Sequence, residues 1–218
     1  MFLLKPPGVY RPQGDSFLLR DALLAAPPPA GGRVLDLGTG TGMLALAAAG
    51  TGASRVWAVD SSYRAVLTAR CNALLRGLRV RVIRGDLRRR LPAGPFDLVT
   101  ANPPYVPCAD AGEASGRARA WDAGLDGRRY LDPLCRRAPA LLAPGGSLLL
   151  VHSVLCSLPT TVRLLREGGL GASVVARRRQ PFGPVLGSRA SWLEERGLIA
   201  PGQTQEELVV IRARRVAG

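Results

Sequence analysis

From residue 33 onward, short and nearly continuous apolar runs alternate with longer segments whose apolar residues recur at helical spacing. RVLDLG (33–38) predicts a buried strand and MLALAAAG (43–50) a helix. RVWAVD (55–60) is a second strand, and YRAVLTARCNALLRG (63–77) a helix with serines at its start as caps. VRVIRGD (80–86) and FDLVTAN (96–102) predict strands three and four. RYLDPLCRRAPALLAP (129–144) is helical around Pro133 and Pro139, with the Pro-Gly-Gly that follows as a stop signal. SLLLVHS (147–153) is a fifth strand, TTVRLLREGG (160–169) a helix, and GASVVARRR (171–179) and EELVVIRARR (206–215) close the set. Strands separated by helices imply an α/β fold with a mostly parallel sheet covered on both faces. AAPPPAGG (25–32) reads as a small-residue linker between a short opening segment and the main unit.

A length of 218 residues favours one domain with a sizeable core. A mean hydropathy of +0.10 suits a soluble globular protein. The longest apolar runs, LALAAAG and SLLLVHSVL, are too short to cross a bilayer, and MFLLKPPGVYRP lacks the features of a signal peptide, so the expected location is cytoplasmic. Cys71, Cys108, Cys135 and Cys156 show no CxxC spacing, and one histidine cannot complete a zinc site with them; no metal and no disulfide framework are expected. The net charge of +14 admits an acidic partner such as nucleic acid. Lys5, however, is the single lysine among 30 basic residues, and abundant Arg, Ala, Gly and Pro also follow from GC-rich codons.

The candidate chemistry gathers at strand ends. VLDLGTGTG (34–42) runs from a strand into a glycine turn and a helix, where backbone can approach a ligand and the helix N-terminus adds positive dipole. Gly38 and Gly40 fit the first two positions of the dinucleotide fingerprint, but Met43 occupies the third, and Asp36 would sit awkwardly beside a pyrophosphate. That carboxylate suits a cofactor with an ammonium and a sulfonium, S-adenosylmethionine (SAM). Asp60, ending the second strand, can accept ribose hydroxyls or cap the next helix; Asp86, ending the third, can accept an adenine amino group or serve as a turn residue. Ligands of open parallel sheets bind at this edge. Asn102 closes the fourth strand in TANPPYVP (100–107). Its side-chain carbonyl and the backbone carbonyl of Pro103 offer two acceptors for one NH2 group, and Tyr105 offers a flat face for stacking. His152 reads as a core or strand-end residue rather than a general base.

Taken together, VLDLGTGTG, AVD, GDL and NPPY resemble the class I SAM-dependent methyltransferases that act on nitrogen. GVYRPQGDSFLLRDAL (8–23) is similar to the opening of the short HemK-type protein-glutamine N5-methyltransferases, which modify the Gly-Gly-Gln loop of release factors, and AWDAGLDGRRYLD (120–132) to that family's tryptophan-glycine segment. The resemblance implies a Rossmann-like, seven-stranded, mostly parallel sheet with an antiparallel last strand. It divides the chain into a cofactor- and substrate-covering segment at 1–32 and a methyltransferase domain at 33–218, with an insertion at 180–205 before the last strand. It implies that Asp36, Gly38 and Gly40 hold the methionine portion of SAM, Asp60 the ribose, Asp86 and Leu87 the adenine, and that Ser16 stands where a threonine contacts the cofactor. Asn102, Pro103 and Tyr105 would bind the glutamine amide.

Two departures stand out: Gly14 replaces a usual glutamate, and the insertion is expected to carry a short helix, SRASWLEERG, with Trp192 near the cleft or on a partner. The helical domain by which long relatives recognise release factors has no counterpart in the roughly thirty residues before the first strand, and some short relatives work with a small zinc-binding activator subunit. The loop 106–128, with its glycines and alternating charges, is expected to order on substrate binding. The implied reaction is methyl transfer from SAM to a protein glutamine amide. The alternatives are a nucleic-acid N-methyltransferase acting on adenine N6 or guanine N2, a small-molecule or peptide N-methyltransferase, and a non-catalytic SAM-binding subunit.

Overall fold

The computed structural model describes residues 3–89, 91–110, 112 and 116–216. The apolar run at 33–37 becomes strand β1 (Arg33–Leu37), whose Val34, Leu35, Asp36 and Leu37 are all buried, as a strand covered on both faces requires. Strands β2 (Arg55–Asp60), β3 (Val80–Arg84), β4 (Phe96–Ala101), β5 (Leu142–Ser153), β6 (Leu170–Pro181) and β7 (Gln205–Arg215) complete one sheet in the order β3-β2-β1-β4-β5-β7-β6. All neighbouring pairs from β3 to β5 are parallel, and β7 runs antiparallel between β5 and β6. The strand order therefore reverses between β1 and β4, which opens a crevice at their C-terminal ends.

The helices are α1 (Gly14–Ala25), α2 (Met43–Gly50), α3 (Tyr63–Leu74), α4 (Leu131–Leu141), α5 (Leu158–Glu167), α6 (Pro184–Gly187) and α7 (Ala190–Glu195). The Ser62 hydroxyl caps α3 by accepting from the Ala65 N–H. Among the described residues no helix is long and apolar enough to cross a membrane.

Three local differences from the sequence reading have physical causes. Residues 14–25 form a helix because Asp15, Ser16, Leu18, Leu19 and Leu23 share one buried face against the sheet. That face carries two polar residues, so it does not stand out as an apolar stripe. Strand β5 starts at Leu142, directly after α4 and ahead of the Pro-Gly-Gly, because Leu142 pairs with Phe96 before the register shifts. Strand β6 runs on through Pro181, so the first two residues of the 180–205 segment, Gln180 and Pro181, pair with Glu206 and Gln205 in the β6–β7 ladder.

Within the insertion, the expected helix shortens to α7. Trp192 does not line the central cleft; it packs partly buried against the core, with the Arg196 guanidinium over its ring at 5.7 Å. Arg189 makes the link toward the site instead, donating to the Pro107 carbonyl at 2.9 Å and pairing with Asp122 at 2.7 Å.

Candidate functional site

A cleft of about 840 Å³ opens at the crevice and is lined from the opening segment, the glycine turn, and the ends of β2, β3 and β4. Gly38, Gly40, Asp60, Asp86, Leu87, Asn102, Pro103, Tyr105 and Ser16 all line it. Nine of the expected positions thus meet in one place.

The first wall is made of backbone. Gly38 (φ +71°), Gly40 (φ +53°) and Gly42 (φ +85°) take left-handed conformations that side chains disfavour. The amides of Gly38 and Thr39 donate to the Val59 carbonyl at 2.9 and 3.0 Å, which holds the turn against the end of β2. Asp60 accepts from the Gly40 amide at 2.9 Å through Oδ2 and from the Ser62 amide at 2.9 Å through Oδ1. Each carboxylate oxygen keeps lone-pair capacity for a ligand hydroxyl. Burial raises the Asp60 pKa, and the backbone N–H bonds act against that rise.

Asp36 lies apart from these nine positions. It is fully buried and does not line the cleft; its Oδ1 accepts from Thr100 Oγ1 at 2.8 Å and its Oδ2 from Thr39 Oγ1 at 2.6 Å. Burial pushes its pKa up to about 6 despite these bonds. Through these two threonine hydroxyls the carboxylate ties the glycine turn to β4 from behind the cleft. Asp86 does line the cleft, but Arg88 grips its carboxylate with Nη2 to Oδ2 at 2.8 Å and Nε at 3.2 Å. That pairing lowers the Asp86 pKa. Leu87, beside it, is buried and gives the cleft an apolar surface.

The second wall is made of side chains. Asn102 Nδ2 donates to Ser16 Oγ at 3.2 Å, and Ser16 Oγ in turn donates to Asp15 Oδ1 at 3.0 Å. Tyr10 and Tyr105 both donate their hydroxyls to Asp15 Oδ2, at 2.9 and 3.3 Å. Burial, then the Asp15 charge, raises both tyrosine pKa values well above normal, so both stay O–H donors. Because Ser16 spends its proton on Asp15, it can only accept from Asn102. This orients the amide, with Nδ2 on Ser16 and the carbonyl Oδ1 turned to the other side.

The loop bearing Asn102 is braced behind. Val106 bonds to Trp121 and Ala123, and Cys108 to Gly124, so segments 106–108 and 121–124 form a small ladder. A Cβ on Gly127 would collide with the Tyr105 carbonyl, which already accepts from Cys156 Sγ at 2.9 Å. These parts of the 106–128 loop are ordered by the chain itself; Ala111 and residues 113–115 lie outside the described residues.

The sequence reading missed Asp15, Tyr10 and Asn72. Asn72 is fully buried on α3 and bonds with both polar groups of Leu4 and with the Thr41 carbonyl, pinning the opening segment beside the glycine turn. The available signal was an amide on a helix face otherwise made of alanine, valine and one threonine. His152 is fully buried outside the cleft; its Nδ1 meets the Ser153 carbonyl at 2.7 Å, and burial drops its pKa to about 4. It is neutral at physiological pH and remote from a proton-transfer role.

Comparison with known proteins agrees with this geometry. The model of the methyltransferase small domain family matches residues 7–118. The chain is 33% identical over 181 residues to a protein provisionally named a protein N5-glutamine methyltransferase of Methanocaldococcus jannaschii, covering 83% of this chain and 90% of that one. It is 44% identical over 148 residues to the release factor glutamine methyltransferase of Deinococcus radiodurans, covering 65% of this chain and 52% of the relative. The chain thus spans nearly all of the archaeal relative and about half the length of the bacterial ones it matches. Among solved structures, E. cuniculi Mtq2, determined with Trm112 as the complex responsible for eRF1 methylation, shares the fold at a TM-score of 0.64 and 22% identity, over 95% of this chain and 99% of that one. The glycine turn, the aspartate after β2 and the asparagine after β4 lie within or beside one crevice of a class I Rossmann-like sheet, and the chain belongs to the methyltransferase small domain family.

Proposed function

We infer that this methyltransferase moves a methyl group from SAM to the side-chain amide nitrogen of a glutamine in a protein, with a peptide release factor as the favoured acceptor. The observation that carries this reading is the hydrogen-bond chain from Tyr10 and Tyr105 through Asp15 and Ser16 to Asn102. It presents a carbonyl, rather than an NH2, to an incoming NH2 group.

The residues fit SAM. Gly38 and Gly40 leave room at the backbone, Asp60 keeps acceptor capacity for ribose hydroxyls, and Leu87 supplies an apolar contact for the adenine. Ser16, with Gly8, Val9 and Tyr10 of the opening segment, covers the cofactor. When bound, SAM supplies a methyl group made electrophilic by its sulfonium. Asn102 Oδ1 and the Pro103 carbonyl hold the acceptor NH2 by its two protons, which aligns the nitrogen and draws its protons toward oxygen. Tyr105, tethered to Asp15, backs the substrate plane. The amide proton leaves to water.

Incubation of the chain with labelled SAM and release factor should label the factor on the glutamine of its Gly-Gly-Gln loop, as read by mass spectrometry. Failure to label any release factor, with and without a small zinc-binding subunit of the Trm112 kind, would sink the substrate assignment. The reaction belongs in the cytoplasm, where release factors act. A second reading, N-methylation of nucleic acid, draws on the arginines at the cleft, including Arg64, Arg84 and Arg89. Methylation of RNA or DNA that weakens steeply with salt would favour it.

A further inference from the structure

Gly14 has ordinary backbone angles, so its lack of a side chain is a matter of space rather than conformation. The space is taken by Gln180 of β6: a Cβ on Gly14 would overlap Gln180 Oε1. The other end of that amide, Nε2, donates to Glu206 Oε1 on β7 at 3.0 Å, across a directly paired register position. Arg178, two residues earlier on β6, donates to the Gly14 carbonyl at 3.3 Å. The start of α1 is therefore bonded to the sheet edge through Arg178, while Gln180 fills the space beside Gly14, immediately before the Asp15–Ser16 pair that orients Asn102.

Glu206 is an unusual residue for this place. It is 5% exposed, and Oε2 has no partner of ordinary hydrogen-bond geometry. Burial raises its pKa, with the nearby Asp15 charge adding to the rise and the Gln180 and Ser153 side chains opposing it. A buried carboxylate that meets so few partners costs stability. Gly14 stands where the opening motif of the resembling family has a glutamate; here the carboxylate comes from β7, behind Gln180.

We propose that Glu206, acting through Gln180, is a positioning residue that seats the Gly14–Ser16 turn against the cleft and thereby sets the affinity for SAM. The proposal rests on the SAM reading of the cleft. Neither side chain lines the cleft, so both act through the turn.

Calorimetric titration of the full chain with SAM, paired with melting temperatures, tests it. Gln180→Ala and Glu206→Leu should each weaken SAM binding about tenfold, the worth of one lost buried hydrogen bond. Glu206→Gln keeps an acceptor carbonyl for Gln180 and should restore most of the affinity. Gly14→Ala should weaken binding in the parent, but add little once Gln180 is alanine, because the overlap is then gone. Gln180→Ala also leaves the buried Glu206 carboxylate without its amide donor and should lower the melting temperature. Positioning is therefore read from an affinity loss larger than the fall in stability accounts for, and from the near-parent affinity of Glu206→Gln. Parent-like affinity in Gln180→Ala overturns the proposal, as does a Glu206→Gln loss as large as that of Glu206→Leu, or affinity that falls only in step with melting temperature. A parent chain that does not bind SAM overturns the cofactor reading as well, and is recognised by needing no substitution.

Discussion

The two walls of the cleft are built by different means. The wall from β1 through Asp60 uses backbone: three left-handed glycines, two amides on the Val59 carbonyl, and a carboxylate that collects the amides of Gly40 and Ser62. Its parts lie within about thirty residues of one another. The wall around Asn102 uses side chains from residues 86 and 90 positions apart, Asn102 with Ser16 and Tyr105 with Asp15. The contrast suits the tasks proposed for the two walls, cofactor binding for the first and acceptor positioning for the second. A cofactor of constant shape can be met by a local loop, whereas an acceptor amide must be aimed, and aiming needs a network that fixes which way an amide points. The walls touch at Gly38, where a Cβ would stand 3.2 Å from the Asn102 carbonyl.

Substitutions can break this division of labour, beginning with the acceptor wall. Asn102→Ala should lower turnover by about two orders of magnitude or more while leaving SAM affinity nearly intact, as lost positioning contacts do; single-turnover kinetics beside calorimetry would show it, and unchanged turnover would remove Asn102 from the reaction. On the cofactor wall, Asp60→Ala should do the reverse, weakening SAM binding by tenfold or more with most of the loss in affinity, on the order of one or two hydrogen bonds to a charged group. Unchanged affinity would detach Asp60 from the ribose.

Ser16→Ala tests the amide-orienting link, and should cost about tenfold in turnover. Ser16→Thr, which keeps the hydroxyl, should recover most of it. If alanine and threonine behave alike, the hydroxyl does not orient Asn102. The smallest effect is expected at Asp86. Because Arg88 already engages its carboxylate at a partly exposed position, Asp86→Ala should change SAM affinity by less than about threefold. A loss as large as that of Asp60→Ala would show that the carboxylate trades Arg88 for the adenine.

Strand and helix rhythm made the central sheet legible, and β2 and α2 run over the very residues the apolar pattern marks. Helix α1 was hidden because its buried face includes Asp15 and Ser16, which a periodicity of apolar residues does not register. Asp36 was visible as a motif, but a strand buried on both faces gives no alternation from which to read that its carboxylate meets Thr39 and Thr100. Trp192 likewise carried no sign of its neighbours, and it is Arg189 that reaches the site-bearing loop.

The sequence by itself determined the α/β order, the glycine turn, and the placement of Asp60, Asp86 and Asn102 at strand ends, because these follow from local propensity and from the rule that parallel strands present their C-terminal ends to one edge. Only the tertiary structure decided that Asp15 gathers Tyr10, Tyr105 and Ser16, that Ser16 orients Asn102, and that Gln180 fills the space at Gly14. The decisive ones, Asn102 with Ser16 and Tyr105 with Asp15, join residues 86 and 90 positions apart, and Gln180 reaches Gly14 from the other end of the chain. Single hydrogen bonds and excluded volume leave no periodic trace along the sequence.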